Sequence, residues 1–128
     1  PYTTLFRSGM TGGQMAPTTI PGQVTTTSPG GRIPLRDGNP LDLSAMLALA
    51  AGSVFIERTT VINPKGVNRT KKAIKKAFQT QIEDKGFSLV EVLSPCPTNW
   101  KMSPAESVNW VEETMSKIFP IQVIKDVA

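Results

Sequence analysis

The fold is decided by residues 53–93, SVFIERTTVINPKGVNRTKKAIKKAFQTQIEDKGFSLVEVL. Two short runs rich in β-branched and aromatic residues, 53–61 and 87–93, predict strands. The stretch between them, 67–85, repeats its apolar residues at helical spacing. A strand, a helix and a second strand in this order are typical of an α/β sheet with parallel strands. The residues that set the helical period, and with it the predicted apolar face, are Val67, Ile74, Phe78 and Ile82.

A short apolar helix is predicted immediately before this unit. Asn39 is its expected N-cap, Pro40 lies in its first turn, and Gly52 ends it. Because the segment is apolar almost all round, the helix should be buried or lie against a partner. Inside the unit, the sequence Asn63-Pro64-Lys65-Gly66 predicts a turn between the first strand and the long helix.

The C-terminal part is predicted to be a loop followed by a helix. Residues 94–102 are rich in proline, and Ser103-Pro104-Ala105-Glu106 is a capping-box sequence that opens a helix. This helix should reach Ile118 and end at Phe119-Pro120. Since two strands make a poor sheet alone, the expected fold class is the C-terminal part of a larger α/β domain with a mainly parallel sheet.

Composition excludes several kinds of function. The 128 residues carry a net charge of +4, an excess too small to indicate nucleic-acid binding, and no apolar run is long enough to span a membrane. The absence of histidine excludes histidine-based catalytic triads and histidine-ligated zinc within this chain. A single cysteine allows no internal disulfide and is typical of a reducing compartment such as the cytoplasm.

The N-terminal third divides into two parts. Its first eight residues, PYTTLFRS, resemble the translation of a sequencing-library adapter, so we expect residues 1–8 to be an artefact and residues 9–128 to be the truncated natural domain. Residues 9–40 hold seven of the ten glycines and five of the eleven prolines. They form either a flexible linker or a long ordered loop that lines a site, and residues 41–128 hold the α/β part.

Cys96 is the first candidate for chemistry. It follows the strand that ends near Leu93, and open α/β sheets bind ligands at the carboxyl ends of their strands. The side chain is either a buried free cysteine, a reactive thiol or a ligand of a metal cluster. A nucleophilic thiolate needs a base and no histidine is available, so cluster ligation is the easier of the two chemical roles.

Met10-Thr11-Gly12-Gly13-Gln14 is the second candidate. Paired glycines let backbone amides approach a phosphate closely, and a threonine hydroxyl can reach phosphate or Mg²⁺. The alternative is an ordinary turn, because the segment matches neither the P-loop nor the dinucleotide-binding fingerprint.

The third candidate is a basic stripe on the long helix, formed by Lys71, Lys72, Lys75 and Lys76 with Arg69 nearby. It is either a solvated helix face or a docking surface for an acidic protein. Nucleic acid fits it less well, because no aromatic residues alternate with the lysines. Trp100 is a candidate recognition group, whereas Trp110 lies on the apolar face of the last helix and is expected in the core.

Several of these segments together resemble one protein family. Residues 9–14, 16–19 and 25–29, with the run FSLVEVLSPCPTNW at 87–100, are similar to the thiamine-diphosphate-binding β subunit of 2-oxoacid:ferredoxin oxidoreductases. Within the family, the chain looks most like the branched-chain 2-oxoacid and 2-oxoglutarate enzymes of anaerobes. The resemblance covers nearly all of residues 9–126.

The resemblance implies an activity and a set of partners. The family decarboxylates a 2-oxoacid on thiamine diphosphate, transfers the acyl group to coenzyme A, and passes electrons through iron–sulfur clusters to ferredoxin. The chain would be a fragment of this cytoplasmic enzyme, inactive alone, that needs its α subunit and, in some members, γ and δ subunits. The alternative function is a non-catalytic α/β module that docks an acidic protein through residues 71–76.

The resemblance also implies site residues. Met10, Thr11, Gly12 and Gly13 would lie beside the diphosphate, and Cys96 would be one ligand of a 4Fe–4S cluster. The Gly-Asp-Gly and paired Asn that precede this segment in the family, with the Mg²⁺ ligands, are absent here, as are the other cluster cysteines. All three cofactor sites would therefore be incomplete in this chain.

Overall fold

The computed structural model describes residues 12–128 and, for residues 3–7, the backbone alone. A four-stranded sheet forms its centre, in the order β1 (Thr3–Arg7), β3 (Phe87–Leu93), β2 (Ser53–Thr60), β4 (Val123–Asp126). Strands β1, β3 and β2 are parallel, and β4 is antiparallel to β2. The predicted α/β class with a mainly parallel sheet is confirmed.

In the described part of the chain, six helices connect or flank the strands. In chain order they are α1 (Pro34–Asp37), α2 (Leu43–Ala48), α3 (Pro64–Ile82), α4 (Pro97–Trp100), α5 (Pro104–Trp110) and α6 (Ser116–Ile118). A π-helical segment, Val111–Met115, joins α5 to α6, so the three form one continuous helical stretch. None of the helices in the described part is both long and apolar enough to cross a lipid bilayer.

Each face of the sheet has its own core. Alternation along β3 points Val90 and Val92 towards α3, where they pack with Phe55, Ala73 and Ala77. On the opposite face, Leu93 packs with Ile20, Val111, Met115 and Phe119. The loop before α1 and the helical stretch α5–α6 therefore share the second face of the sheet.

The face of α3 that packs on the sheet is not the apolar face that the helical period predicts. Its buried residues are small, namely Gly66, Thr70, Ala73, Ala77 and Thr80. The predicted apolar face was wrong in part, because Phe78 is 42% exposed and Ile82 is 82% exposed. Small side chains occupy the positions that face the sheet, because the backbone of α3 lies close to β2. At the start of the helix, a Cβ on Gly66 would lie 2.6 Å from the Thr60 carbonyl oxygen.

Two predicted boundaries were also wrong. The turn expected at residues 63–66 is the first turn of α3, with Asn63 as an N-cap that accepts a hydrogen bond from the Gly66 amide at 2.8 Å. The apolar helix begins after Asp42 rather than Asn39, because the Asp42 carboxylate accepts from the Ala45 amide at 3.0 Å. That helix is not buried within the described part of the chain, since Met46 is 53% exposed.

The C-terminal helix follows the prediction closely. Ser103 and Glu106 form the expected capping box, and the helical stretch ends at Phe119. The strand β4 beyond it was not predicted. Residues 3–7, expected to be an artefact, pair with β3, but this pairing does not test their origin, which stays a prediction.

Candidate functional site

Residues 12–40 form a loop that has its own hydrogen bonds and one large side chain in the core. Ile20 is 1% exposed and packs in the core cluster with Leu93 and Phe119. A pair of backbone hydrogen bonds, from the Gly22 amide to the Arg32 carbonyl and from the Arg32 amide to the Gln23 carbonyl, fastens the loop across its middle.

A buried arginine organises this loop. Arg32 is 6% exposed, and its guanidinium donates six hydrogen bonds to backbone carbonyls, those of Ala16, Pro17, Thr19, Asp37, Gly38 and Asn39. The acceptors lie on both sides of Arg32 in the sequence, at distances of 2.8–3.2 Å. One side chain therefore joins carbonyls from the two ends of the loop, and two of them, those of Ala16 and Pro17, also accept backbone amides.

The short helix α1 sits beside this arginine and carries an ion pair. Arg36 donates to Asp37 at 2.8 Å, and the Ile33 amide donates to the same carboxylate at 2.9 Å. The Arg36 hydrogen bond first, and the Ile33 amide next, lower the pKa of Asp37 to about 2. Asp37 therefore stays ionised at every pH at which the protein would function.

The glycine pair of the second candidate site lies against the loop that follows β3. Gly12 and Gly13 have φ values of +83° and +75°, a region that favours glycine. The Thr26 amide donates to the Gly13 carbonyl at 2.9 Å. A Cβ on Gly13 would lie 3.6 Å from the Asn99 side chain, so the two segments are in contact. Met10 and Thr11 lie outside the described residues.

Cys96 lies where the sequence places it, just past the carboxyl end of β3. It is half-buried, occupies the N-cap position of α4, and its side chain makes no capping hydrogen bond. No group of three or more His, Cys, Asp or Glu side chains in the described ranges, 12–128, is arranged to hold a metal ion. Any cluster at Cys96 therefore needs ligands from beyond these residues.

The glycine pair and the Cys96 loop together line a small cavity. Its walls include Gly13, Gln14, Thr25, Asn99 and Trp100. The Thr25 hydroxyl is buried here and has no hydrogen-bond partner among the described residues. The cavity has a volume of about 10 Å³, which is room for about one water molecule as a partner for this hydroxyl.

The two tryptophans lie together at the next depression. Trp100, Met102 and Trp110 line an apolar groove of about 280 Å³ with the backbone turn at Gly22. Both tryptophans are partly buried and pack against the cluster that contains Ile20, as expected for Trp110. The recognition role suggested for Trp100 stays a prediction.

The basic stripe is narrower than the sequence suggests. Lys76 is bound to Asp126 at 2.6 Å and lies over the Phe55 ring, and Arg69 is bound to Glu57 at 2.6 Å. The lysines that remain as a solvated face are Lys71, Lys72 and Lys75.

Sequence reasoning missed Arg32. A signal for it exists, because residues 8–31 contain no charged side chain and Arg32 is the first after that run. A long segment poor in both charge and apolar core residues needs an internal donor for its carbonyls, and the first arginine after it is the natural candidate.

The chain is similar in sequence to several known enzyme subunits. It is 45% identical over 118 residues to the ketoisovalerate oxidoreductase subunit VorA of Methanothermobacter marburgensis, which covers 92% of this chain and 25% of that protein. It is 40% identical over 109 residues to the 2-oxoglutarate synthase subunit KorB of Archaeoglobus fulgidus, covering 85% of this chain and 36% of that protein.

The chain is a homologue of 2-oxoacid:ferredoxin oxidoreductase subunits. A third relative, the 2-oxoacid:ferredoxin oxidoreductase subunit beta of Saccharolobus solfataricus, is 37% identical over 90 residues, covering 70% of this chain and 26% of that protein. The chain thus spans between a quarter and about a third of the length of these oxidoreductase subunits. Neither a family model nor a solved structure matches it. The resemblance found in the sequence is confirmed.

Proposed function

We propose that this chain is part of the β subunit of a 2-oxoacid:ferredoxin oxidoreductase and contributes one wall of its cofactor site. The observation that carries the proposal is the contact between the Gly12-Gly13 segment and the Cys96 loop at Asn99. These segments are far apart in sequence, and each matches a different part of the family pattern. Their meeting beside an unpaired buried hydroxyl, that of Thr25, supports one site built from both.

We propose thiamine diphosphate as the cofactor of this site, of which the described residues form one wall. Gly12 and Gly13 would turn backbone amides towards its diphosphate, because their positive φ values suit such a turn. Met10 and Thr11, which lie outside the described residues, would contact it because they match the same family segment. Arg32 does not neutralise the diphosphate, since its donors are taken by carbonyls. We propose that Mg²⁺, held by ligands from outside these residues, balances the charge of the diphosphate. When bound, thiamine diphosphate supplies an electron sink for the decarboxylation of a 2-oxoacid.

Cys96 would hold a 4Fe–4S cluster as one of its ligands. Its position at the carboxyl end of β3 and its free, half-buried thiol suit this role. Asn99, three residues further on, lies beside Gly13, so the cluster loop and the diphosphate loop adjoin. This adjacency suits a short path for electrons leaving the decarboxylated substrate towards ferredoxin, with coenzyme A as the acyl acceptor.

The partners we propose are the other subunits of the same enzyme and ferredoxin, in the cytoplasm. Apolar side chains that the described chain leaves exposed support a subunit contact; they include Leu35, Met46 and Leu49. As the substrate we propose a branched-chain 2-oxoacid, because relatives named for ketoisovalerate are 45% and 46% identical to the chain, against 36–40% for those named for 2-oxoglutarate.

The test is the substitution Cys96→Ala in the full-length subunit, assembled with its partner subunits. We expect loss of one cluster, seen as lower iron content and a missing EPR signal. Thr98→Ala, an exposed neighbour in the same loop, is the control and should leave both unchanged. Unchanged iron and EPR in the Cys96 variant would reject the ligand assignment and favour the second candidate function. That function is docking of an acidic protein on Lys71, Lys72 and Lys75, which are solvated.

A further inference from the structure

The guanidinium of Arg32 lies in an environment made almost entirely of backbone. Its Nη1 donates to the carbonyls of Ala16, Pro17 and Thr19 at 2.8–3.0 Å. Its Nε donates to Gly38, and its Nη2 to Asp37 and Asn39. The planar fork of five N–H donors suits such an array, which a lysine ammonium with three donors cannot reproduce.

These contacts hold the chain that follows the glycine pair and the segment that faces it. On the C-terminal flank, Ala16 and Thr19 are fixed by the guanidinium itself. On the facing side, the backbone of Arg32 pairs with Gly22 and Gln23. That pairing leads into the turn at residues 25–28, where the Thr26 amide and hydroxyl bind the carbonyls of Gly13 and Gly12.

Apolar packing contributes little to the position of this loop. Ile20 is its one buried large apolar side chain within residues 12–40, whereas Val24 is 60% exposed, Ile33 is 45% exposed and Leu35 is fully exposed. The Gly12-Gly13 segment is therefore held mainly by hydrogen bonds: directly by Thr26, and through the stretch at residues 16–19 by the Arg32 guanidinium.

We propose that Arg32 is a positioning residue for thiamine diphosphate: it sets the glycine pair at the distance from the Cys96 loop at which the diphosphate is bound. The inference rests on the proposed function. It assigns to Arg32 an effect on cofactor affinity without direct contact with the cofactor, because all six described hydrogen bonds of its side chain go to the loop itself.

The test uses the complete enzyme with Arg32→Ala and Arg32→Lys in the full-length subunit. Binding of thiamine diphosphate is measured by calorimetry, independently of turnover. We expect the dissociation constant to rise by about tenfold or more in both variants, the size of effect that a small misplacement of binding groups produces. At saturating cofactor, kcat should stay within about threefold of the wild type, because the groups at the reacting atoms are unchanged.

Two further measurements distinguish an effect of Arg32 on cofactor binding from an effect on the stability of the protein. Ethylguanidinium, which fits the space vacated in Arg32→Ala, should restore cofactor affinity in that variant and leave Arg32→Lys unchanged. The control is Lys65→Gln, which removes an exposed cation from α3, the helix on the opposite face of the sheet from this loop, and it should bind the cofactor as the wild type does.

The outcomes distinguish the two proposals. A wild-type enzyme that binds no thiamine diphosphate would overturn the proposed function. A wild type that binds it while both Arg32 variants bind equally tightly would overturn the positioning role alone. Failure of both variants to assemble, without rescue by ethylguanidinium, would assign Arg32 to folding and overturn the inference as well.

Discussion

Replacing Arg58 with methionine is expected to lower the free energy of unfolding by about 3–5 kcal/mol, the cost of breaking a buried ion pair from one side. Arg58 on β2 and Glu91 on β3 are register partners, and the Arg58 Nε donates to the Glu91 carboxylate at 2.7 Å. Both side chains are 1% exposed. The Asp42 carboxylate and the Ser44 hydroxyl, both from the start of α2, complete the network.

The size of the stability loss depends on which buried charge is left without its partner. Arg58→Met leaves the Glu91 carboxylate in the core without its arginine, and it also removes the cation from above the Phe119 ring. Glu91→Gln costs less, about 1–3 kcal/mol, because Arg58 keeps Asp42, which is 36% exposed and in contact with water. Because small proteins are stable by about 5–15 kcal/mol, the arginine variant should be close to unfolding.

The assay is urea denaturation followed by far-ultraviolet circular dichroism, with the single variant Glu91→Leu and the double variant Arg58→Met, Glu91→Leu to close a mutant cycle. The double variant should recover most of the loss, since no buried charge is then unpaired. Lys85→Met is the control; its ion pair with Glu83 joins side chains that are 47% and 52% exposed and contributes about 0–1 kcal/mol. A loss below about 1 kcal/mol for Arg58→Met would refute the assignment of this network as buried and coupled.

Two further predictions concern backbone approach and pH. Gly66→Ala should destabilise the protein by about 1–3 kcal/mol despite the better helix propensity of alanine, because its Cβ would meet the Thr60 carbonyl at 2.6 Å. Gly30→Ala, where the added Cβ meets nothing within 4 Å, is the thermal-melting control, and equal shifts for the two would contradict the clash. The Asp37 carboxylate, whose pKa the Arg36 hydrogen bond lowers to about 2, should stabilise the loop above pH about 4, the unfolded value, and lose that contribution as the pH falls through about 2. A carboxyl-carbon NMR titration with its midpoint near 4 rather than about 2 would disprove this pairing.

Local signals were sufficient for the elements that carry the sheet. The strands at residues 53–60 and 87–93 were predicted nearly to the residue, because β-branched runs bounded by glycine leave few alternatives. The capping box at Ser103 was predicted for the same reason, since its two hydrogen bonds join residues three apart. The register between strands and the antiparallel β4 were not predictable locally, because both depend on pairing across the chain.

The buried face of α3 shows why helical periodicity alone failed. Period and hydrophobicity select Ile74, Phe78 and Ile82, but the closeness of the helix to β2 selects Gly66 and Ala73. The distance between two elements is a tertiary quantity, which no single-segment pattern contains. The candidate site followed the same rule: Cys96 and the glycine pair were visible as motifs, whereas their junction at Asn99 and its support by Arg32 required the folded chain.

The grouping of the only two tryptophans in the chain gives the region around Cys96 its own optical reporter. Trp100 and Trp110 share one groove with Met102, and the sheet contains no tryptophan at all in β2, β3 or β4. Intrinsic fluorescence therefore records the solvation of the loop and helix beside the candidate site, while circular dichroism records the helices and strands as a whole. A separation of the two unfolding curves would measure how far this corner of the molecule opens on its own before the rest of the fold gives way.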